Sequence, residues 1–288
     1  MNRLLPFTKM QGTGNDFVLL DGVSYDMSGL DVPSLAKRLC DRRFGIGADQ
    51  LLLLESSRAA DFRMKIFNAD GSEVQMCGNG IRCLASYIWK HELSRKEVLD
   101  IETKAGIIRP RMGKRGPGLV HGHAHIEQVR VDMGGPILEG KEIPVNIEGK
   151  VVDYPLEIGG RPFAITCVSM GNPHAVIFVE DAGAFPVREY GPLIENHPLF
   201  PERTNVEFVQ VLDKSRIRMR VWERGSGETL ACGTGASASA VAAILKGLTG
   251  GKVNVLLDGG ALEIEWDGAG SVYMTGPAEE VFEGEIYI

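Results

Sequence analysis

The chain repeats part of its own sequence, and this repeat constrains the fold more than any other feature. Residues 64–80 align without a gap on residues 219–235, which lie 155 positions later. The same offset carries Gln50 onto Asn205. Because the aligned residues keep their order and spacing through both halves, the sequence predicts a duplicated domain.

Each copy predicts the same succession of elements: a strand, a glycine-containing hairpin turn, a short second strand, the motif Cys-Gly-x-Gly and a helix. We expect these helices to run from about Gly80 to Trp89 and from about Gly235 to Leu245. The second consists almost entirely of small or apolar residues, so it should be buried on every side, at the centre of a barrel or between sheets. A further amphipathic helix is expected over residues 33–40.

The boundary between the halves is expected near residues 128–135, after a loop rich in glycine and proline at 114–118. Residues 278–288 read as a strand that returns to the first half, where closing a barrel would remove an exposed sheet edge. The predicted domains are an N-terminal domain of residues 1–130 plus 277–288 and a C-terminal domain of residues 131–276.

The composition argues against several classes of protein. With 31 Lys plus Arg against 38 Asp plus Glu, the formal net charge is −7, which does not suit a general binder of nucleic acids or anionic membranes. No apolar run approaches the roughly 20 residues that span a bilayer, and the first residues lack the apolar core of a secretory signal. Five scattered cysteines, none in a Cys-x-x-Cys pair, suit free thiols in a reducing compartment. We therefore expect a cytoplasmic protein without nucleic-acid or membrane partners.

Cys77 and Cys232 open the two Cys-Gly-x-Gly motifs, each at the predicted start of a helix. The first N–H groups of a helix have no internal partner and carry partial positive charge. A thiol there should therefore have a pKa below its ordinary value of about 8.5. The neighbouring glycines let a ligand approach the backbone, whose N–H groups can hold a carboxylate. A structural or disulfide role is the alternative, but two matched copies favour a functional one.

Two thiols related by a pseudo-two-fold axis could face one another across a cleft. Such a pair favours removal of a proton from one face of a carbon and delivery of a proton to the other, rather than covalent attack by a single cysteine. Deprotonating the α-carbon of an amino acid usually needs pyridoxal phosphate, yet no lysine has a setting that marks a Schiff base. Helix N-termini aimed at the substrate carboxylate would stabilise the charge instead. Such a site would need no pyridoxal phosphate.

Polar side chains recur at equivalent strand ends beside the two motifs. The pairs are Asn15 with Asn172, at an offset of 157, and Gln50 with Asn205 and Asn68 with Glu223, at an offset of 155. Amides next to glycines are usually turn formers, but grouped around one cleft they suit recognition of a small polar ligand. Glu223 and Arg224 suit an ammonium and a second carboxylate. The first copy has no such charges, so the ligand should carry a distal charged end.

The histidines are further candidates. His174 follows a Gly-Asn-Pro turn. It either assists proton transfer, positions a carboxylate or packs in that turn. His121, His123 and His125 alternate, so they would share one face of a strand. For these three we favour a solvated hairpin over a metal site.

The segments that carry these features closely resemble the diaminopimelate epimerase family. They are residues 9–17, 67–73, 76–83, 171–174 and 222–235, and the likeness runs from about residue 7 to the final strand. The resemblance implies two similar, pseudo-symmetric α/β (α+β) domains, each a β-barrel-like sheet around a central helix, with the active site in the cleft between them. It also implies a homodimer that interconverts LL- and meso-2,6-diaminopimelate for lysine and peptidoglycan synthesis, without pyridoxal phosphate or metal.

Matched motif by motif, the resemblance makes Cys77 and Cys232 the base and acid pair. It assigns the reacting carboxylate to the backbone of Gly78, Asn79, Gly233 and Thr234. It assigns the substrate, mainly its distal amino-acid end, to Asn15, Gln50, Asn68, Asn172, Asn205, Glu223 and Arg224. Residues 114–125 have no clear match, and we expect a hairpin away from the site.

Three alternatives stay open. A proline-racemase-like enzyme would share the paired thiols but have no use for a distal carboxylate and ammonium site. A thiol–disulfide redox protein would use the same cysteines for electron transfer. A non-catalytic module would bind diaminopimelate without exchanging a proton.

Overall fold

The chain forms two compact units in the computed structural model, which describes residues 3–120 and 123–288 but not the side chains of 117–125. The first unit comprises Met1–Val131 with Thr275–Ile288, and the second comprises Asp132–Met274. Within the described part of the chain, no helix is long and apolar enough to cross a membrane.

The first unit contains two α-helices and a mixed β-sheet. Its helices are α1 (Val32–Cys40) and α2 (Gly78–Lys90). Its strands are β1 (Leu4–Gly12), β2 (Asn15–Asp21), β3 (Gln50–Ser56), β4 (Phe62–Asn68), β5 (Glu73–Val74), β6 (Ile101–Thr103), β7 (Gly106–Ile108), β8 (Pro110–Met112), β9 (Arg115–Val120), β10 (His123–Ile126), β11 (Gln128–Asp132) and the final strand β21 (Glu279–Tyr287). The sheet order is β21-β1-β2-β3-β4-β6-β7, with β5 on β4. The strands β9 and β10 form a separate hairpin, and β8 pairs with β11.

The second unit has the same kinds of elements in the same order. Its helices are α3 (Val187–Glu195) and α4 (Gly233–Leu245), and Gly140–Glu142 form one 3-10 turn. Its strands are β12 (Tyr154–Ile158), β13 (Arg161–Ser169), β14 (Pro173–Phe178), β15 (Asn205–Asp213), β16 (Arg216–Glu223), β17 (Gly227–Thr229), β18 (Lys252–Leu257), β19 (Gly260–Glu265) and β20 (Tyr273–Pro277). They follow one another in the order β12-β13-β14-β15-β16-β18-β19-β20, with β17 on β16.

The two sheets repeat one another down to their register. Phe17 pairs with Gln50 across the parallel strands β2 and β3, and His174 pairs with Asn205 across the parallel strands β14 and β15. The hairpin β3–β4 has its counterpart in β15–β16, and β6–β7 has its counterpart in β18–β19. The predicted fold class is therefore confirmed: a mixed α/β protein with two sheet-rich halves, each with a helix after its Cys-Gly-x-Gly motif.

The sheets are open, so the expected closure of a barrel by the final strand is wrong. The strand β21 pairs with β1 from Leu4 to Gln11. The path of the sheet ends at β7, which has three residues and, among the described strands, pairs only with β6. A strand this short offers few backbone groups with which an edge could be closed.

The central helices begin two residues before their predicted starts, at Gly78 and Gly233. The reason is that each cysteine is itself the N-cap, so the next residue is already helical. Helix α4 is buried on every side as predicted, with all of residues 236–243 buried.

Helix α3 is an element that the sequence analysis missed. It contains Pro192 in its interior, together with Gly191, and both residue types weaken the helical pattern. The repeat could have revealed it, because α1 joins β2 to β3 and α3 joins β14 to β15.

Candidate active site

The two cysteines occupy equivalent N-cap positions. Cys77 has φ −139° and ψ 117°, and Cys232 has φ −132° and ψ 113°. The Sγ of Cys77 accepts a hydrogen bond from the N–H of Gly80 at 3.4 Å, and that of Cys232 accepts one from Gly235 at 3.4 Å. Each sulfur thus lies at the positive end of a 13-residue helix, where a thiolate and a carboxylate are both favoured.

The third residue after each cysteine is a glycine, and the helix start packs closely on the sheet there. A Cβ on Gly80 would lie 3.1 Å from Leu52 Cδ2, and a Cβ on Gly235 would lie 2.7 Å from Glu207 Oε1. Leu52 and Glu207 occupy equivalent positions at the 155-residue offset. Each helix start therefore packs against one side chain of the sheet. That side chain is apolar in the first unit and a carboxylate in the second.

Two of the predicted polar residues of the first unit, Asn15 and Asn79, lie at the start of the helix that Cys77 caps, and Gln50 and Asn68 contact one another. The thiol donates to Asn15 Oδ1 at 3.6 Å, and Asn79 Nδ2 donates to the same oxygen at 3.5 Å. Gln50 Nε2 donates to Asn68 Oδ1 at 2.9 Å. Gln50 Oε1 is buried and accepts from none of the described residues. The first unit therefore contains a set of amides, and Gln50 is the one whose oxygen is a buried acceptor.

Arg82 is a fully buried residue of α2 that the sequence analysis did not single out. Its Nη1 donates to Gly78 O at 3.2 Å and its Nη2 to Thr13 Oγ1 at 3.2 Å. Burial lowers the pKa of Arg82 to about 10, while the nearby Cys83 and Cys77 oppose this shift. The equivalent residue of α4 is Ser237, whose hydroxyl donates to Gly233 O at 3.0 Å. An arginine inside an otherwise apolar helix was the signal that could have found it.

The surroundings of Cys232 are acidic. Its Sγ lies 3.4 Å from Thr234 Oγ1, and it makes a side-chain hydrogen bond with Glu223. Burial raises the pKa of the Cys232 thiol well above its ordinary value, and the charges of Glu223 and Glu207 add to this. Burial likewise raises the pKa of Glu223, against the hydrogen bond from Thr229 and the charge of His174.

The expected lowering of the thiol pKa by the helix start is therefore wrong for Cys232. A helix dipole stabilises a charge by about 0.3–1 kcal/mol, which is less than about one pKa unit. Full burial shifts a pKa by up to about 3–5 units. The neighbouring carboxylates act in the same direction as burial. Sequence spacing gives the helix start but not what packs beneath it.

His174 and Asn172 lie together in the second unit. His174 Nδ1 lies 2.7 Å from Glu207 Oε1, and its Nε2 lies 3.0 Å from Asn172 Oδ1. The side chains of His174 and Glu207 are both wholly buried. Glu207 was absent from the sequence prediction, although its place in a strand of apolar residues marked it as unusual.

Asn205 and Arg224 hold the turn that follows β16. Asn205 Oδ1 accepts from the N–H of Arg224 at 2.9 Å, and Asn205 Nδ2 donates to Pro173 O at 2.8 Å. The guanidinium of Arg224 donates to Glu202 O at 3.1 Å. Asn205 thus fixes the backbone on both sides, and a direct contact between its amide and a ligand stays a prediction.

Each unit therefore gathers its own share of the predicted residues. The first unit holds Asn15, Gln50, Asn68, Cys77, Gly78 and Asn79, and the second holds Asn172, His174, Asn205, Glu223, Arg224, Cys232, Gly233 and Thr234. The facing of the two thiols across one cleft stays a prediction. His121 lies outside the described residues, as do the side chains of His123 and His125.

The remaining three cysteines are buried, and burial raises the pKa of each thiol. The pKa rises to about 11 for Cys40, to about 12 for Cys83 and to about 12 for Cys167. All five cysteines of the chain are free thiols. The prediction that these three are packing residues is therefore confirmed by their burial.

One group of side chains among the described residues is compact enough to hold a metal ion: His91, Glu280 and Glu283. The ammonium of Lys90 already contacts Glu280, and a cation would have to compete with it. None of the predicted site residues belongs to this group.

Solved structures of low sequence identity share the fold. A phenazine biosynthesis protein from Bacillus anthracis has a TM-score of 0.69 at 17% identity, covering 99% of this chain and 100% of that one. A hydroxyproline epimerase from Agrobacterium vitis, solved with bound trans-4-hydroxy-L-proline, has a TM-score of 0.67 at 17% identity, covering 99% of this chain and 91% of that one.

Sequence relatives are much nearer. A diaminopimelate epimerase from Moorella thermoacetica is 56% identical over 281 residues, which cover 97% of this chain and 98% of that protein. Another from Pelotomaculum thermopropionicum is 53% identical over 280 residues, covering 97% and 98%. The sequence profile of the family described as diaminopimelate epimerase matches residues 7–138 and 166–281. The chain therefore belongs to the diaminopimelate epimerase family.

Proposed function

We propose that this protein is an isomerase that interconverts LL- and meso-2,6-diaminopimelate, with Cys77 and Cys232 as the two acid–base groups. The observation that carries the proposal is that two thiols cap equivalent helices in a chain of this family. One thiolate removes the α-hydrogen from one face of the carbon, and the other thiol delivers a proton to the opposite face. In the reverse direction the roles exchange.

The helix starts supply the electrostatic part of the reaction. The first-turn N–H groups of Gly78, Asn79, Gly233 and Thr234 have no partner within their helices. Aimed at the carboxylate of the reacting carbon, they stabilise the negative charge that moves onto it as the α-hydrogen leaves. The proposed reaction therefore runs without pyridoxal phosphate and without a metal ion.

The two thiols have different electrostatic surroundings. Cys232 donates to Glu223, and both burial and that carboxylate raise the pKa of the thiol. Cys77 shares a helix with the buried cation Arg82, whose charge interacts with it. This favours Cys232 as the group that keeps its proton when one of the two thiols ionises.

The amides and charges near the helix starts bind the rest of the substrate. Gln50 Oε1, a buried acceptor with no described donor, suits an ammonium group, and Arg224 suits the distal carboxylate. The contact of Glu223 with Cys232 favours a place for Glu223 at the reacting end rather than the distal one. The full binding set that we propose is Asn15, Gln50, Asn68, Asn172, Asn205, Glu223 and Arg224.

We further propose a cytoplasmic homodimer that serves lysine and peptidoglycan-precursor synthesis. Five free thiols suit a reducing compartment. The edge strand β21 exposes Val281 by 55%, Phe282 by 48% and Tyr287 by 63%, and a second copy would cover these apolar side chains along the edge. Size-exclusion chromatography with light scattering should give a dimer for the wild-type protein and a monomer for Phe282→Asp; a wild-type monomer would contradict the dimer.

The proposed activity is tested by following the α-hydrogen by NMR in deuterated water. Reduced protein should exchange the α-hydrogen of diaminopimelate, and should do so without added cofactor and after treatment with a chelator. Proline is the matched control, since a proline-racemase-like enzyme would exchange its α-hydrogen instead. Exchange with proline alone would overturn the substrate, and binding of diaminopimelate without exchange would overturn catalysis.

A further inference from the structure

An acidic residue of the first unit, Asp49, contacts the amide side chain of Asn15. Asn15 Nδ2 donates to Asp49 Oδ2 at 2.8 Å. Asn15 is the first residue of β2, and Asp49 is the last residue before β3. Because these two strands are parallel neighbours, their starts lie together at the same end of the sheet.

The contact determines which way the Asn15 amide points. A carboxylate accepts hydrogen bonds and has none to give, so the NH2 group of Asn15 faces Asp49. The carbonyl oxygen then faces the start of α2, where it accepts from the Cys77 thiol at 3.6 Å and from Asn79 Nδ2 at 3.5 Å. A reversed amide would place its oxygen against the carboxylate and its NH2 group against that of Asn79. The contacts at both ends of the amide therefore favour the same orientation.

The carboxylate of Asp49 is itself held in place. Arg42 Nη2 donates to Asp49 Oδ1 at 2.8 Å, and the N–H of Asp16 donates to Asp49 Oδ2 at 3.2 Å. The N–H of Asp49 in turn donates to Asp16 Oδ1 at 2.9 Å. A rotation of the Asp49 side chain away from Asn15 would therefore break its contacts with both neighbours.

The ion pair of Asp49 adds little to the stability of the fold. The side chains of Arg42 and Asp49 are 58% and 44% exposed, and exposed ion pairs contribute little to stability. The second unit builds the same pair of parallel strands, β14 and β15, with Thr204 at the position of Asp49. The repeated fold therefore does not need a carboxylate at this position.

The two units hold the equivalent amide in different ways. Asn172 corresponds to Asn15, and its Oδ1 lies 3.0 Å from Nε2 of His174, two residues further along the chain. The hydroxyl of Thr204 donates to a backbone carbonyl oxygen instead. A carboxylate that holds the amide is thus a feature of the first unit and not of the repeat.

We propose that Asp49 is a positioning residue, which holds the Asn15 amide with its carbonyl oxygen toward Cys77. The inference rests on the proposed function, because it takes Asn15 to bind the substrate beside that thiol. Asp49 acts on the reaction through Asn15 and makes no contact of its own with the substrate. Without the carboxylate, the amide is free to turn over and no longer keeps an acceptor at the start of α2.

The test is a double-mutant cycle on full-length, reduced protein, with kcat/KM for diaminopimelate measured by the NMR assay. Asp49→Ala should lower kcat/KM by about tenfold, because the charged partner that orients the amide is lost. Asn15→Ala should lower it at least as much. In the Asn15→Ala background, Asp49→Ala should lower it by less than about twofold more, since the amide that Asp49 orients is already absent.

The matched control is Asp61→Ala. Asp61 is the last residue before β4, just as Asp49 is before β3. Its carboxylate likewise accepts from one cationic side chain, that of Lys96, and from one backbone N–H, that of Asp100. Its loss should leave kcat/KM unchanged.

A second variant keeps the test decisive if Asp49→Ala does not fold. Asp49→Thr copies the residue of the second unit, and its hydroxyl lies one bond closer to the backbone than the carboxylate oxygens of Asp49. It should show the same loss of kcat/KM, and that loss should likewise disappear in the Asn15→Ala background.

Three results would overturn the role of Asp49 in active wild-type protein. They are an equal loss with and without the Asn15 amide, which would show an effect on the fold at large, a wild-type kcat/KM in folded Asp49→Ala or Asp49→Thr, and a comparable loss in Asp61→Ala. Wild-type protein that exchanges no α-hydrogen of diaminopimelate would instead overturn the proposed function, and the inference with it.

Discussion

Cys77 and Cys232 have the same backbone surroundings and opposite electrostatic ones. Both are N-caps of 13-residue helices, and both sulfurs lie 3.4 Å from the N–H of the third following residue. Beside Cys77 the helix carries the buried cation Arg82, and beside Cys232 lie the carboxylates of Glu223 and Glu207. The duplication therefore preserved the geometry that holds a thiol and a carboxylate, while the charges diverged.

This difference has a chemical meaning for a reaction with two proton-transfer groups. A symmetric site would leave the proton on either thiol with equal probability. Each unit by which the pKa of one thiol exceeds that of the other corresponds to about 1.4 kcal/mol, so a few unequal neighbours suffice to place it. The charges decide which thiol carries the proton, and the shared backbone lets either one act.

The largest expected effect is the loss of either thiol. Cys77→Ser and Cys232→Ser should each lower the rate of epimerisation by at least about 10³-fold, because a hydroxyl is a far weaker acid than a thiol and a positioned acid–base group contributes about 10²–10⁴-fold. The rate is measured by the NMR assay with diaminopimelate.

The matched control is Cys83→Ser, in the same helix as Cys77 and fully buried. It should retain most of the activity. Equal losses in Cys83→Ser and Cys77→Ser would show that the thiol at the helix start has no special role.

Removal of the carboxylate beside Cys232 should have the next largest effect. Burial and then Glu223 raise the pKa of Cys232, so Glu223→Gln should lower that pKa and speed alkylation of Cys232 by iodoacetamide by about tenfold at neutral pH. Epimerisation should slow by about 10²-fold, since proton transfer at Cys232 loses its partner.

Mass spectrometry of the modified peptides measures the alkylation rate, and Cys77 in the same sample is the internal control. Its alkylation rate should stay unchanged. Slower alkylation of Cys232 in Glu223→Gln would reverse the proposed sign of the interaction.

Replacement of the buried cation should affect Cys77 in the opposite direction. Arg82→Ser copies the second unit, where Ser237 bonds to the equivalent carbonyl oxygen. Loss of the guanidinium should raise the pKa of Cys77 and slow its alkylation by up to about tenfold, while Cys232 keeps its rate. An unchanged Cys77 rate in folded Arg82→Ser would remove this half of the comparison.

The smallest expected effect is a difference in stability between alanine substitutions at the two helix starts, caused by packing alone. Gly80→Ala places a Cβ against the movable end of Leu52, whereas Gly235→Ala places one 2.7 Å from Glu207 Oε1. We expect Gly80→Ala to change the free energy of unfolding by less than about 1 kcal/mol, and Gly235→Ala to lower it by about 1–3 kcal/mol. Urea unfolding of both variants measures this, and a larger loss in Gly80→Ala would contradict the packing argument.

Much of the fold could be predicted because the repeat carries its information in local patterns. The Cys-Gly-x-Gly motif locates α2 and α4 to within two residues, and alternating apolar residues mark the strands. Helix α3 was missed because Gly191 and Pro192 interrupt its pattern. The openness of the sheet could not be predicted, since it depends on how short β7 is.

The site residues could be predicted where side chains lie at matched positions of the two halves. They could not be predicted where their effect depends on contacts between residues far apart in the sequence. Asn15, Asn172 and the two cysteines were found from the alignment of the halves. Glu207 was not, because its importance comes from lying beneath Gly235, which no local pattern records. For the same reason the sign of the Cys232 pKa shift was wrong, since burial and carboxylates outweigh a helix dipole that sequence alone can locate.

The central claim, that both thiols act on opposite faces of one carbon, is tested most directly by where deuterium first appears. LL-diaminopimelate is supplied to reduced wild-type protein in deuterated water, and both isomers are analysed after a few per cent of conversion. Two acid–base groups predict that the meso product carries deuterium at the inverted carbon while the recovered LL isomer carries almost none. Deuterium in the recovered LL isomer at the same rate as in the product would show that one group both removes and returns the proton, and would contradict the account.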